Sequence, residues 1–322
     1  MDPLTHIVVG RAVVAAAGRD IRQSAAIGVA AILGALSPDA DSVVAFWGWD
    51  RYLRVHQSGT HSLLGALTMA GLTAGLVRLF APRSRYGAIA AAAAAGAVSH
   101  IALDLASGAR IAVGWPLWQR RVSMPLVAMA DPWLIGICVA GLFAVWPGRA
   151  KARTVARRVL GTMTLFLVFK AVMFAVAIRR TNIPLTEPSA VEAHWGSLKE
   201  WWAYDKTRDA IRSTTLSSVG GSGMVVMSVP IEPDSPLVDS SRMLDTVRNF
   251  LAVHEFAFPV VTPAGDGQTS VFWTDLRYCA PAAPDGSINC GVWAGGVFDS
   301  SGRALTQEVK VGRLVQTRRL PE

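Results

Sequence analysis

Residues 86–106 read YGAIAAAAAAGAVSHIALDLA, and this stretch decides the fold that we predict for the chain. It is long and apolar enough to cross a membrane as one helix. The alanines at 90–95 and Gly96 are small, so neighbouring helix backbones can approach it closely. His100 and Asp104 lie one turn apart on one helical face, where they can share an ion or simply hydrogen-bond to each other. The stretch therefore predicts a membrane helix with a polar site at one end.

The composition indicates further crossings of the same kind. Hydrophobic residues make up 52% of the chain and charged residues 17%. The mean hydropathy of +0.36 is too high for an ordinary soluble protein, and most of the excess precedes Ile178. The segments long enough to cross are 62–80, 86–106, 126–146 and 157–178. Two shorter segments, 3–17 and 23–37, are expected to be half-spans or tilted helices, which gives an integral membrane all-α helical bundle of four to six hydrophobic helices over residues 1–180.

The basic residues favour a membrane setting over a nucleic-acid partner. The net charge is +8, but the arginines and lysines cluster in short stretches between apolar runs, as at membrane flanks that face anionic lipid. No basic patch with interleaved aromatic residues is visible, so membrane lipids rather than nucleic acid are the expected partners. The first six residues carry no basic leader, and we expect no cleaved signal peptide.

The composition changes after Arg180, where a second domain is expected. Residues 181–193 contain Pro184 and Pro188 and are predicted to be a linker. Residues 194–322 are predicted to form a small soluble α+β domain that is rich in strands. The runs that alternate apolar and polar residues are 223–231, 256–262, 270–278, 290–298 and 306–316, with a helix at 240–254. The aromatic segment 194–204 is expected to be either an interfacial helix or the first core helix of this domain.

Four of the six histidines fall in the first 100 residues, close to aspartates or to each other. The motifs besides His100 and Asp104 are Thr5-His6, Pro38-Asp39-Ala40-Asp41 and His56-x4-His61. If the long segments alternate in direction, every one of these residues lands on the same membrane face. Ionisable groups at membrane depth are costly unless they meet each other, water or an ion. Imidazole and carboxylate are ligands of zinc, manganese and iron, so we predict a divalent metal site at this face.

The predicted roles follow from this convergence. The candidate metal ligands are His6, Asp39, His56, His61, His100 and Asp104. Asp39 and Asp41 are the candidate catalytic carboxylates, with a carboxylate that does not bind the metal, such as Asp41, as general base. Thr60, Ser99 and Asp131 are candidates for supporting hydrogen bonds. Each pattern also has a purely structural explanation. A capped turn after a helix that ends at Pro38 would account for Asp39 and Asp41, and helix capping would account for Asp2 and Asp131.

Five ordered motifs in the first 180 residues resemble the bacterial LexA-regulated, membrane-bound metal-dependent hydrolase family, the YdjM-like proteins. They are Met1–His6, Pro38–Asp41, His56–Ser62, Ser99–Asp104 and Asp131–Trp133. The resemblance implies a bacterial inner-membrane hydrolase. In that family the loop reads His-Arg-Gly-x-Thr-His, whereas Gln57 and Ser58 stand here, with Arg51 or Arg54 as substitutes for the arginine. The early Thr-His, the Pro-Asp turn and the His-x3-Asp are also similar to the zinc-dependent phospholipase C pattern, which implies phosphoester chemistry.

Together these observations predict a hydrolase that uses one or two divalent ions, zinc first and manganese or iron as alternatives, to cleave an ester or phosphoester of a lipid or lipid-linked substrate. Two other classes stay open. A metal transporter would place its ligands near the membrane midplane, and a non-catalytic scaffold would use the cluster only to stabilise its fold. No serine-hydrolase elbow, phosphate-binding loop or dinucleotide fingerprint appears in a suitable context.

Charge and cysteine positions predict the sidedness. The face opposite the site receives ten basic residues: Arg19, Arg22, Arg78, Arg83, Arg85, Arg149, Lys151, Arg153, Arg157 and Arg158. The site face receives seven: Arg51, Arg54, Arg110, Arg120, Arg121, Arg179 and Arg180. Because cytoplasmic loops carry the excess of basic residues, the site and the C-terminal domain are expected on the extracytoplasmic face. Cys279 and Cys290 would form a disulfide there, and would be free thiols in a cytoplasmic domain.

Overall fold

A helical bundle is followed by a domain of two antiparallel sheets, which confirms the predicted fold class. The computed structural model describes residues 1–17, 25–145, 152–180, 189–220, 223–231, 235–280 and 289–320. The bundle helices are α1 Pro3–Ala16, α2 Ala25–Leu36, α3 Trp49–Val55, α4 Leu63–Phe80, α5 Tyr86–Ala106, α6 Pro132–Val145 and α7 Ala152–Arg180. A 3₁₀ helix, Ser37–Trp47, connects α2 to α3.

Four segments are long and apolar enough to cross a membrane: Ala25–Trp47, Leu63–Phe80, Tyr86–Ala106 and Ala152–Arg180. The first of these is α2 together with the 3₁₀ helix. Helices α1 and α6 have 14 residues each, which is about 21 Å of helix and less than the apolar thickness of a bilayer. The prediction that 126–146 crosses the membrane was therefore wrong, because its helix starts only at Pro132. The linker residues 181–188 and four residues of the charge comparison, Arg19, Arg22, Arg149 and Lys151, lie outside the described residues.

Helix α2 ends at Leu36, next to Pro38 as the sequence indicated, but a 3₁₀ helix follows it directly instead of a capped turn. A proline is tolerated in the first turn of a helix because its missing N–H would have no partner there. Pro38 occupies such a position at the start of the 3₁₀ helix, which runs on to Trp47. Asp39 and Asp41 therefore lie on a helical segment and not in a capped turn.

Small residues bring α5 into backbone contact with α2. A side-chain carbon at Gly34 would lie 2.2 Å from the carbonyl oxygen of Ala93, and one at Gly96 would lie 2.3 Å from the carbonyl oxygen of Ala31. Alanines of α2, α4 and α5, including Ala93, are fully buried around this contact. Because lipid gives no hydrophobic drive for helix association, such close packing supplies much of the attraction between the helices.

The C-terminal domain consists of two sheets in which each strand pairs with the next one along the chain. The first sheet has β1 Ser189–Ala193, β2 Glu200–Lys206, β3 Ala210–Ser217 and β4 Val225–Pro230. The second has β5 Ala257–Gly265, β6 Gln268–Asp275, β7 Val292–Phe298, β8 Ala304–Val311 and β9 Leu314–Arg319. Two short helices, α8 Pro236–Ser241 and α9 Asp245–Leu251, pack against the second sheet through Val238, Val247 and Phe250. Tyr204, Phe256 and Phe258 belong to a core that joins the two sheets.

Both helical interpretations of 194–204 were wrong, because this segment forms a turn and strand β2. Side chains of β2 alternate between two cores: Trp201 and Ala203 pack into one shared with α7, and Trp202 and Tyr204 pack into the core that joins the two sheets. The adjacent Trp202 concealed that alternation. The last five residues of the predicted linker, 189–193, form β1, and β3 at 210–217 was not predicted. The predicted run 306–316 turns at Gly312, which has a φ of +62°, and becomes two strands. The predicted helix 240–254 is instead the pair α8 and α9.

The C-terminal domain is attached to the end of the bundle that carries the polar residues. Asp50 of α3 is fully buried and accepts hydrogen bonds from Asn249 Nδ2 at 2.7 Å and from Arg318 Nη2 at 3.0 Å. Trp201 donates its indole N–H to the carbonyl of Pro125 at 2.7 Å, and Lys170 donates to the carbonyl of Ser197 at 2.8 Å. Buried backbone carbonyls need such partners, so these contacts fix the domain on the bundle.

The close approach at Gly96 gives a prediction with a matched control. We expect Gly96→Ala to destabilise the bundle by about 1–3 kcal/mol, because its new carbon must displace the backbone of α2. Gly75→Ala in α4 meets no atom within 4 Å, and it should stabilise the helix by about 0.5–1 kcal/mol. Thermal unfolding of both variants in detergent measures the two effects. Shifts of the same sign and size would contradict this account of the packing.

Candidate metal centre

Two histidines and two aspartates converge at the end of the bundle. Asp39 comes from the 3₁₀ helix, His61 from the loop before α4, and His100 and Asp104 from the last turns of α5. One ligand atom from each residue lies within 4.8 Å of all the others. His61, His100 and Asp104 are buried, and Asp39 is half-buried. The cluster therefore joins three segments that are far apart in the sequence.

The spacing of the ligand atoms can be compared with that of a tetrahedral ion site. His61 Nε2 lies 3.2 Å from Asp39 Oδ1, 3.3 Å from His100 Nε2 and 3.6 Å from Asp104 Oδ2. His100 Nε2 lies 3.5 Å from Asp39 Oδ1 and 3.3 Å from Asp104 Oδ2. Metal–ligand bonds of about 2.0–2.1 Å place tetrahedral ligands about 3.3–3.4 Å apart. The donor set and its spacing thus fit a zinc-like ion.

The remaining imidazole nitrogens have the partners that metal-binding histidines need. His100 Nδ1 lies 2.7 Å from the carbonyl oxygen of Ala35. His61 Nδ1 lies 3.1 Å from Thr60 Oγ1 and 3.5 Å from Asp41 Oδ2. When a metal-binding histidine donates one N–H to such an oxygen, the other nitrogen is unprotonated and oriented for the ion. This geometry holds both Nε2 atoms toward the four-residue cluster.

Asp41 and His56 form a second group beside the first. His56 Nδ1 lies 3.0 and 3.1 Å from the two oxygens of Asp41, and Thr60 donates a hydrogen bond to Asp41 at 3.0 Å. His56 has 21% of its side chain exposed. One ligand atom each from Asp41, His56 and His61 also lies within 4.8 Å of the other two, close enough to share a metal ion. The short contacts within this group are, however, those of a hydrogen-bonded aspartate–histidine pair.

His6 lies on the far side of Asp104. Its ring stacks on that of His100, with 3.8 Å between the ring centres, and its Nε2 is 3.2 Å from Asp104 Oδ1. The amino group of Met1 contacts the same oxygen. His6 is fully buried, and neither ring nitrogen forms a hydrogen bond with the described residues. A buried imidazole without hydrogen bonds is costly, and a nearby cation would offset part of that cost.

The predicted supporting residues divide into two kinds. Thr60 contacts Asp41 and His61, as described above. Asp131 accepts hydrogen bonds from the backbone N–H groups of Trp133 and Leu134 and so caps α6. Ser99 donates to the carbonyl of Gly96 within α5. The hydrogen bonds of Asp131 and Ser99 thus serve their own helices.

Sequence reasoning missed two partners of the cluster. The carbonyl of Ala35 carries no sequence signal, since any residue would supply it. Tyr52 stacks on His56 with 4.7 Å between the ring centres, and its position four residues earlier on a helix was a usable signal. Burial raises the pKa of Tyr52, and the nearby charges of Asp41 and Asp39 raise it further. Arg54, considered as a substitute for the family arginine, donates to Asn249 at 2.9 Å.

We expect purified protein to carry zinc, manganese or iron, and to lose it when a ligand is removed. Loss of an outer hydrogen-bond partner typically costs about 10–100-fold in metal affinity, and loss of a ligand should cost more. His100→Ala and Asp104→Ala should therefore each deplete the bound metal, whereas His194→Ala in the C-terminal domain should retain it. Elemental analysis of the three variants measures the difference. Full metal occupancy in both ligand variants would contradict the centre.

Comparisons with known proteins agree with the membrane location of this cluster. Over 152 residues the chain is 25% identical to the uncharacterized protein YfhP of Bacillus subtilis (strain 168); the match covers 45% of this chain and 46% of YfhP, so it spans about half the length of that relative. No solved structure matches the chain. The model of the YdjM inner membrane protein family matches residues 1–180, which is more than half of the sequence and contains the whole candidate centre. The chain therefore belongs to the YdjM inner membrane protein family.

Proposed function

We propose that this protein is a membrane-bound, metal-dependent hydrolase that cleaves an ester or phosphoester of a lipid or lipid-linked substrate at the membrane interface. The observation that carries the proposal is that Nε2 of His61 and Nε2 of His100 lie 3.3 Å apart, and that each lies 3.2–3.6 Å from an oxygen of Asp39 and from an oxygen of Asp104. These four residues would hold the ion. A bound divalent ion supplies activation of water near neutral pH and polarisation of the scissile group.

The pair of Asp41 and His56 is suited to move a proton beside the ion. Asp41 accepts hydrogen bonds from Thr60 and His56, so its negative charge is oriented toward the imidazole. His56 is half-buried and directs Nδ1 at Asp41. Its Nε2 is then available to take a proton from water, with Asp41 stabilising the imidazolium that results. In this proposal His56 is the base, and Asp41 orients it and stabilises its protonated form.

Exposed apolar residues near the centre support a lipid or lipid-linked substrate. Phe46 at the end of the 3₁₀ helix is 86% exposed, and Leu117 in the loop after α5 is 97% exposed. That loop is joined to the loop containing His61, because Leu63 N donates to the carbonyl of Val113 at 2.9 Å. Large exposed apolar side chains favour contact with lipid. A substrate that arrives within the membrane would meet these residues beside the ion.

A structural metal site is the second candidate, because the four candidate ligands join α5, the 3₁₀ helix and the loop before α4. In that case the ion would stabilise the fold without any catalysis. Transport is less well supported. His61 immediately precedes α4, and His100 and Asp104 lie in the last turns of α5, whereas transporter sites lie near the midplane.

Replacement of Asp41 separates catalysis from structure. We expect Asp41→Asn to lower turnover by about 100-fold or more, the usual contribution of a positioned base, while yield and thermal stability stay near those of the unaltered protein. Asp266→Asn, in the exposed turn between β5 and β6, is the matched control and should be fully active. Turnover is measured on lipid and phosphoester substrates with and without a chelator. Normal activity in Asp41→Asn would refute the proton-transfer role, and a loss of stability instead of activity would favour the structural site.

The proposed location is the bacterial inner membrane, with the centre and the C-terminal domain on the extracytoplasmic face. The excess of basic residues on the opposite face supports this sidedness. A second support is the disulfide between Cys279 and Cys290, because disulfides persist in oxidising compartments.

A reporter fused after Glu322 tests this topology. Alkaline phosphatase should be active there, and a cytoplasmic fluorescent protein should be dark. The double variant Cys279→Ser and Cys290→Ser should lose about 2–3 kcal/mol of stability, since the disulfide closes a loop with a sequence separation of 11. A bright cytoplasmic fusion together with two alkylatable thiols would place the C-terminal domain in the cytoplasm.

A further inference from the structure

A cavity of about 290 Å³ lies between the bundle and the C-terminal domain, apart from the candidate metal ligands. One wall is the loop after α5, and the other comes from β1, Arg277 and α7. The residues that line the cavity include Arg110, Arg121, Glu192 and Arg277. Three guanidinium groups around one small cavity are unusual, because like charges repel and each of them loses water on burial.

Arg121 has no acidic partner to offset that cost. Its guanidinium donates only to backbone carbonyls, those of Arg110 at 3.3 Å and Arg54 at 3.5 Å. No carboxylate forms an ion pair with Arg121 among the residues that the structure describes. Burial lowers the pKa of Arg121 and the neighbouring charge of Arg110 lowers it further, while the charge of Glu255, which is paired with Arg110, raises it by a smaller amount. This side chain would therefore gain from a bound anion.

Arg277 and Arg110 each have a carboxylate partner and retain donors. Arg277 binds both oxygens of Asp275, through Nε at 2.9 Å and Nη2 at 2.8 Å. Its Nη1 forms no hydrogen bond with any described residue. Arg110 uses Nη1 at 2.7 Å on Glu255, an ion pair near the surface. A guanidinium group has five N–H donors, so those not used on its carboxylate partner can donate hydrogen bonds to a second anion.

Glu192 is the one carboxylate that lines the cavity. No described residue donates a hydrogen bond to it or forms an ion pair with it. Burial raises the pKa of Glu192 to about 7, with Arg277 lowering it and Asp275 raising it by smaller amounts. At neutral pH this group is therefore protonated in a large fraction of molecules, and a protonated carboxyl is a hydrogen-bond donor.

We propose that this cavity binds a phosphate group, with Arg121 as the main cation and Arg110 and Arg277 as further donors. Guanidinium groups match phosphate oxygens in both geometry and charge, which lysine does less well. The volume suits a phosphate with a small organic substituent rather than a large ligand. The phosphate can be free or part of a lipid headgroup, since both present the same oxygens. The inference does not depend on the metal centre or on hydrolysis.

The direct test is a calorimetric titration of inorganic phosphate into the purified full-length chain in detergent, after chelator treatment. We expect saturable binding of one phosphate per chain. Arg121→Gln should weaken it about tenfold or more, the usual effect of losing a charge-assisted hydrogen bond. Arg313→Gln, in the exposed turn between β8 and β9, is the control and should bind normally. The absence of saturable binding, or equal affinity in Arg121→Gln, would overturn the proposal.

A second variant, Glu192→Gln, keeps the proposal testable if Arg121→Gln does not fold. At pH 8 Glu192→Gln should bind phosphate more tightly than the unaltered chain, because it removes a negative charge and keeps a donor. Below about pH 6 the two proteins should bind alike, since Glu192 is then protonated. The other charged or titratable groups that face Glu192, namely Arg277, Asp275, Tyr204, Tyr278 and the lining arginines, are the same in both proteins. Weaker binding by Glu192→Gln at pH 8 would contradict the predicted arrangement.

Two further experiments test where the phosphate binds and whether it is free or part of a lipid headgroup. His100→Ala should keep phosphate binding, and its loss would assign the phosphate to the metal centre and overturn the cavity site. In nanodiscs of phosphatidylcholine, added phosphatidic acid should compete with inorganic phosphate if a lipid headgroup is the ligand. Unchanged phosphate affinity with phosphatidic acid present would identify free phosphate. Either result of this last arm, with the Arg121 effect intact, supports a phosphate site in the cavity.

Discussion

The cost of placing ionisable groups among apolar helices is the constraint on which the rest of the structure depends. Two imidazoles and two carboxylates meet at one end of the bundle, and three of the four side chains are buried. Such groups are tolerated at this depth only when they neutralise and hydrogen-bond one another or share a cation. The 3₁₀ helix that carries Asp39, the loop that carries His61 and the end of α5 are held together by this requirement. Neither ring nitrogen of His6 forms a hydrogen bond with the described residues, and the carboxylate of Asp104, 3.2 Å from its Nε2, is the charge that offsets the burial of this imidazole.

The C-terminal domain belongs to the same end of the molecule, and polar contacts connect it. Asp50 would be an isolated buried charge without Arg318 and Asn249. The indole of Trp201 donates to the carbonyl of Pro125 at the bundle end, which accepts no other hydrogen bond from the described residues. Removing one partner from such a contact costs more than the contact itself contributes, because the other group stays buried. The C-terminal domain is therefore held on the bundle at several separate points, because polar groups on each side would lose their hydrogen-bond partners if the two parts separated.

The sequence predicted three of the four candidate membrane spans, because long apolar runs have few alternatives in length and composition. It was wrong on 126–146, where α6 is too short to cross, and on 23–37, which the 3₁₀ helix extends into a candidate span. It also predicted which histidines and aspartates share a membrane face, since alternating crossings fix that result without any side-chain detail. Local geometry was harder. Continuation of the helical path through Pro38 depends on its place in a first turn, and β2 was concealed by two adjacent tryptophans with different burial. The cavity between the two parts was not predictable, because Arg121 and Glu192 are 71 positions apart and neither belongs to a motif.

The glycine contact between α2 and α5 has a consequence for which sequences the fold can accept. Gly34 precedes Asp39 by five residues and Gly96 precedes His100 by four, so the line of closest backbone contact sets the distance between two candidate ligands. Ligand atoms 3.5 Å apart tolerate little movement of either helix. The two buried alanines of the run at 90–95, Ala92 and Ala93, are limited in their substitutions by volume rather than by polarity. Natural variation at these two positions should therefore favour glycine, alanine and serine over larger apolar residues, although all of them suit a membrane helix.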